Sequence, residues 1–138
     1  MTISFNSDNV EFPAINIDQL KGWIKKVVSS YNKQVGDISY LFCNDEKILE
    51  VNIQYLQHDF YTDIITFDYS TRNKISGDIY ISLDTVLSNS KQFGTDFIDE
   101  LHRVIIHGVL HLCGVNDITE EEEKEMREAE EEALKILK

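Results

Sequence analysis

The segment from His107 to Asp117, HGVLHLCGVND, restricts the fold of this chain more than any other stretch. It sets two histidines four residues apart near the end of an apolar run and follows them with a glycine and a carboxylate. On a helix, residues i and i+4 lie one above the other on the same face, so His107 and His111 converge if the run is helical. Gly114 lacks a Cβ and suits the left-handed conformation that ends a helix and turns the chain back, which brings Asp117 towards the same point. Two imidazoles, a carboxylate and an open fourth position form the ligand set of a catalytic metal site rather than a structural one. An H-x-x-x-H pair alone recurs by chance in helices, and many helices end in glycine with no metal nearby. The carboxylate at the third-ligand position is what favours a metal.

The rest of the chain supplies the scaffold for that helix. Ile3 and Phe5 suggest a short first strand, and Pro13 and Asn16 mark a loop. A helix capped by Asp18 carries Leu20, Trp23, Ile24, Val27, Val28 and Tyr31 at three- and four-residue spacing. Ile38, Tyr40 and Phe42 alternate as a half-buried strand, and Asn44 or Asp45 starts a second helix with Ile48, Leu49, Val51, Ile53 and Tyr55. Asp63–Tyr69 and Gly77–Ser82 read as two strands joined as a hairpin, with Ile65 and Phe67 on one core face. A third helix spans Asp84–Phe93 and stops at Gly94, and Thr95 caps the histidine helix. The last helix opens with a capping box, Thr119 and Glu122, and has an apolar edge of Met126, Ala129, Ala133, Leu134 and Leu137. Strands and helices mix without regular alternation, which predicts an α+β layer of helices on a small mixed sheet.

At 138 residues the chain is the size of one domain, expected to span residues 1–138. No apolar run reaches the roughly 20 residues that span a bilayer, and no signal pattern opens the chain, so the cytoplasm is the expected compartment and no membrane partner is expected. Cys43 and Cys113 read as buried thiols rather than a disulfide framework or a zinc cage. His58 and His102 read as core or surface histidines. The net charge of −12 argues against non-specific nucleic-acid binding, but half of it lies between Asp117 and Lys138, on a helix that reads as a solvated face.

Two imidazoles and a carboxylate suit zinc at about 2.0–2.2 Å, and they also suit non-haem iron, so ligand type leaves the metal open. A metal that lowers the pKa of bound water to about 7 favours hydrolysis without a redox partner. Zinc peptidases of the H-E-x-x-H type use that glutamate as base, and here its position is Gly108. Cleavage of a phosphodiester asks less of that position, because the metal polarises the phosphoryl oxygen.

The segment resembles the signature of the YbeY-type endoribonucleases, metal-dependent enzymes of rRNA maturation, whose usual form is HGxLHLxGYDH. Upstream, Asn52, Tyr55, Asp59, Thr62, Asp63, Thr66 and Phe67 fit the family's LNxxYRxxDxPTDVLSF, Gly77, Asp78 and Ile79 fit its GDI strand, and Glu100 fits a glutamate seven residues before the first histidine. The match runs over about 66 residues, from Asn52 to Asp117. It departs in two places. The family's third histidine is Asp117, an anionic and harder ligand, and the family's arginine after the tyrosine is Leu56. Arg72, Lys74 and Arg103 are candidates to meet the phosphate instead, although each alone reads as a surface charge. Asp63, Asp78 and Glu100 are candidates to fix a histidine tautomer.

The resemblance implies a four-stranded mixed sheet flanked by helices, similar to zinc hydrolases. It implies a metal-dependent endoribonuclease of single-stranded RNA in rRNA maturation and ribosome quality control. His107, His111 and Asp117 would hold one Zn2+ or another divalent ion. The implied partners are an rRNA precursor and the ribosome, and no DNA is expected. The competing readings are a metal-dependent hydrolase of a non-RNA substrate and a non-catalytic ribosome assembly factor.

Overall fold

The structure is a computed structural model and describes residues 2–56 and 62–137. Their element order is β1 (Thr2–Ser7), α1 (Ile17–Ser30), β2 (Gln34–Cys43), α2 (Asp45–Leu56), β3 (Ile64–Asp68), β4 (Lys74–Ser82), α3 (Leu83–Phe93), α4 (Phe97–Leu112) and α5 (Glu120–Leu137). The strands form one mixed sheet in the order β1-β2-β4-β3. β1 and β4 flank β2 in parallel, and β3 closes the edge antiparallel to β4, with Ile65 opposite Tyr80 and Asp68 opposite Gly77. The α+β reading therefore holds, the described residues forming five helices on a four-stranded sheet.

The two faces of the sheet are unequal. Ile38, Tyr40, Phe42, Ile75, Ile79 and Ile81 join Ile3 in a main core with α1, α4 and the inner edge of α5. On the opposite face a smaller core of Cys43, Ile48, Val51 and Ile65 lies under α2, with Phe67 and Tyr80 packed against it. β-strand alternation sends neighbouring residues of β3 and β4 to opposite faces, so β3 stands between the two. α4 is apolar around most of its circumference because it is covered on several sides: Leu101, Ile105, Ile106, Val109 and Leu110 are fully inaccessible to solvent. Buried polar tips are satisfied by backbone. Trp23 Nε1 donates to the Ala133 carbonyl at 2.7 Å, tying α1 to α5, and Tyr40 Oη donates to the Ile105 carbonyl at 2.9 Å, tying β2 to α4. Among the described residues no helix is long and apolar enough to cross a membrane.

Several boundaries differ from the sequence reading. Asn16, not Asp18, caps α1: its Oδ1 accepts from Gln19 N at 3.1 Å, while Asp18 lies in the first turn and meets the positive helix end. Asp96 rather than Thr95 occupies the N-cap of α4, without a side-chain cap bond. β4 begins at Lys74, three residues before Gly77, because pairing with parallel β2 extends it from Gln34 opposite Lys74. The capping box is as read, with Thr119 N to Glu122 Oε1 and Glu122 N to Thr119 Oγ1 both 3.1 Å.

Gly77 occupies a position where a side chain has no room. A Cβ there would lie 2.4 Å from the Phe67 carbonyl oxygen and 3.0 Å from Leu112 Cδ2. One neighbour is backbone of the edge strand, so relief requires β3 to move. Gly77→Ala is expected to cost about 1–3 kcal/mol, and an unchanged urea midpoint would refute the close fit. Both cysteines are buried and free. Burial pushes the Cys43 thiol up to about 12 and the Cys113 thiol up to about 11, so little reactive thiolate forms near pH 8. Native protein is expected to resist alkylation by iodoacetamide at that pH and to take up two labels once unfolded in urea, as counted by mass spectrometry.

Candidate metal centre

Local rules place the two histidines. α4 runs unbroken through His107 and His111, whose rings meet edge to face with centroids 4.6 Å apart. Gly108 between them lies against the sheet, and a Cβ there would stand 3.0 Å from Ile79 Cδ1 and 3.1 Å from Ile64 Cδ1. The position occupied by glutamate in H-E-x-x-H peptidases is thus a packing contact. The helix ends as a chain reversal: Gly114 has φ +99°, its N–H donates to the His111 carbonyl, and Val115 N donates to the Leu110 carbonyl. The turn brings Asp117 Oδ2 to 3.4 Å from His107 Nε2 and 3.3 Å from His111 Nε2. One ligand atom from each of the three residues lies within 4.8 Å of the others.

The residue that orients His107 comes from α5. Glu130 Oε2 lies 2.6 Å from His107 Nδ1, and its other oxygen accepts from Arg103 Nη1 at 2.9 Å. Burial opposes ionisation of Glu130, but the bonds from His107 and Arg103 outweigh it and hold the carboxyl below its usual range. An ionised carboxylate only accepts. His107 therefore carries its proton on Nδ1 and presents Nε2 to Asp117. Burial likewise opposes protonation of His107, yet the carboxylates of Glu130, Asp117 and Asp63 raise its pKa overall. At His111, burial and then the charge of His107 lower it.

Glu130 was hidden within a helix that reads as a solvated face. It is buried, and it stands four residues after buried Met126 and three before buried Ala133. The available signal was a glutamate in the middle of an apolar stripe. None of the three carboxylates expected to fix a tautomer makes the bond that Glu130 makes. Asp63 lines the cleft and feels His107, and burial raises its pKa. Glu100 is buried two turns before His107 and borders a depression with Arg103 and Glu130. Asp78 lies on the other face of the sheet, beside Tyr55, Phe67, Tyr69 and Tyr80, since it alternates with the inward-facing Gly77 and Ile79.

A cleft of about 500 Å³ opens in front of the three residues, bounded by Asn52, Leu56, Asp63, Thr66 and Asp68. No lysine or arginine is among its described lining residues. Of the cations considered, Arg103 is held by Glu130, and Arg72 and Lys74 are exposed at the β3–β4 hairpin. His102 is a core-edge histidine against Trp23, with ring centroids 6.0 Å apart, and burial lowers its pKa. His58 and Asp59 lie outside the described residues.

Comparison with known proteins gives a consistent result. The family model described as Endoribonuclease YbeY matches residues 3–138. A protein of Parabacteroides distasonis named Endoribonuclease YbeY is 59% identical over 137 residues, covering 99% of this chain and 96% of that one. A Bacteroides thetaiotaomicron protein of the same name is 56% identical over 134 residues, covering 97% of this chain and 98% of that one. The fold is also similar to the solution structure of TM1509 from Thermotoga maritima, with a TM-score of 0.69 and 24% identity over 99% of this chain and 89% of that one. Matched over nearly its whole length, and carrying the histidine pair and following carboxylate in one cleft, the chain belongs to the endoribonuclease YbeY family.

Proposed function

We propose that this chain is a metal-dependent endoribonuclease that cuts single-stranded RNA within rRNA precursors, acting as one domain in the cytoplasm and in contact with the ribosome. His107, His111 and Asp117 are the ligands in this reading, and Zn2+ is the first choice of ion. The observation that carries it is the convergence of two imidazole nitrogens and one carboxylate oxygen in an open cleft. The donor set fits. Tetrahedral coordination with bonds of about 2.0–2.1 Å puts neighbouring ligand atoms about 3.3–3.4 Å apart, and both His–Asp contacts have that spacing.

When bound, a divalent cation supplies Lewis acidity, polarising a phosphoryl oxygen and acidifying water. The chain's own groups do the rest. Glu130 holds His107 in the Nδ1–H tautomer, so Nε2 is available to bind. Thr62 and Thr66 supply neutral donors and acceptors along the cleft for ribose and base groups. Leu56 offers the phosphate nothing polar. That favours as second reading a ribosome assembly factor without turnover.

The test is cleavage of an rRNA fragment containing both single-stranded and paired segments, by metal-loaded protein, with chelated protein and His111→Ala as controls. Scission confined to single-stranded segments and abolished in both controls is expected. Equal cleavage by His111→Ala would reveal a contaminating nuclease and remove the enzymatic claim. Binding to the fragment without any scission would leave the assembly-factor reading.

A further inference from the structure

The positive charge of this acidic chain is concentrated. Residues 21–36 carry Lys21, Lys25, Lys26 and Lys33, residues 69–77 carry Arg72 and Lys74, and neither segment contains a single aspartate or glutamate, although the chain has 25. Far apart in sequence, the two meet in the fold. Lys74 pairs with Gln34 in the β2–β4 ladder, Gln34 N donates to the Asn73 carbonyl at 2.8 Å, and Lys33 Nζ donates to the Arg72 carbonyl at 3.4 Å. Lys25 and Lys33 border a depression of about 370 Å³ beside that junction. Lys25, Arg72 and Lys74 are exposed and Lys33 is half-buried. Asp37, whose charge reaches Lys74, is engaged with the backbone N–H of Thr2.

This surface begins where the cleft ends. Asp68 lines the cleft, and the hairpin that carries Arg72 starts at the next residue. The charges of Asp68 and Lys33 are both felt at the Cys113 thiol, two residues past His111. The cleft's described lining holds no lysine or arginine, so no described lysine or arginine there neutralises a polyanion. A chain of net charge −12 repels RNA unless a local patch reverses the field.

We propose that Lys25, Lys33, Arg72 and Lys74 form a phosphate-binding track that holds single-stranded RNA running out of the cleft across the β3–β4 hairpin. The proposal rests on the nuclease reading for its substrate and supplies the backbone contacts which that reading lacks. Phosphate contacts of this kind are sequence-independent and release counterions, so they have a salt signature.

The test compares protein as purified with the fourfold variant Lys25→Gln, Lys33→Gln, Arg72→Gln and Lys74→Gln, its fold checked by circular dichroism. Binding is read by fluorescence anisotropy over a salt series, on a 2′-O-methylated RNA of about 20 nucleotides that resists cleavage through its own hydroxyl. Cleavage is read separately, on unmodified RNA of that length and on a tetranucleotide too short to reach the track. The variant is expected to bind the long RNA at least about tenfold more weakly, with a log–log salt slope shallower by about 2–3. It should lose cleavage of the long RNA through KM while cutting the tetranucleotide like the parent. A folded variant with unchanged affinity and slope overturns the track. So does parent protein that prefers polyglutamate of equal charge, since that would make the surface a site for acidic protein. Parent protein that binds RNA but cuts none defeats the nuclease reading and leaves the binding result to decide the track.

Discussion

His111→Ala is expected to abolish tight metal binding and to lower RNA cleavage by at least about 10²–10³-fold, while leaving the fold intact. In the proposed site, removing one ligand of three leaves His107 and Asp117 as a two-point site. Loss of an outer group that merely orients a ligand already costs about 10–100-fold in metal affinity, so loss of the ligand itself costs more. The Lewis acidity lost with the ion is worth several kcal/mol, and each 1.36 kcal/mol is about tenfold in rate. The folding cost is small because the His111 side chain is 29% exposed and its polar and ring partners are His107, Asp117 and the Val115 backbone; about 1 kcal/mol or less is expected. Elemental analysis, cleavage rate and urea midpoint together check this. A variant that keeps stoichiometric metal would show that the ion sits elsewhere.

Glu130→Ala has the second large effect, and it acts on both stability and metal affinity. It leaves the Arg103 guanidinium and His107 Nδ1 without the carboxylate they share. Removing one partner from a fully buried pair costs about 3–5 kcal/mol. Arg103 is a third exposed here, so solvent screening reduces the figure to about 2 kcal/mol. With His107 free to rotate and change tautomer, metal affinity should fall about 10–100-fold. Glu130→Gln keeps an acceptor for His107 and is expected to recover part of the affinity but little of the interaction with Arg103.

The pH dependence of the metal-free protein separates this pair from simple packing. Glu130 has a lowered pKa in the fold, so its contribution is present above the unfolded carboxylate value and is lost as pH falls through the folded one. His107 has a raised pKa, so its contribution is complete below the unfolded imidazole value and is lost as pH rises through the folded one. The stability difference between parent and Glu130→Ala is therefore expected to be largest at about pH 5–6 and to shrink on either side. A difference flat from pH 4 to pH 9 would mean that Glu130 contributes packing alone.

The grouping of His107, His111 and Asp117 was legible in sequence because it obeys local rules. An i, i+4 pair is a property of helix geometry, and a glycine two residues after the helix needs only its own backbone freedom to reverse the chain. The capping box of α5 and the alternation of β2 were legible for the same reason. The tautomer-fixing carboxylate was misplaced because its partner is 23 residues away on another helix. Asp78 matched a motif, yet strand alternation turned it to the far face of the sheet. The cap of α1 went to Asn16 because Asp18 is equally good chemistry one half-turn too late.

The amino-acid sequence by itself determined that two imidazoles and a carboxylate would share one helix end, and that a mixed α+β scaffold would carry them, because both follow from spacings of a few residues. Only the tertiary structure decided what surrounds them. α5 must pack on α4 before Glu130 reaches His107. β2 must pair with β4 before two acid-free segments about 40 residues apart merge into one positive surface beside the cleft. Such contacts depend on which elements become neighbours, and that is set by burial of the whole core rather than by the pattern within any one segment.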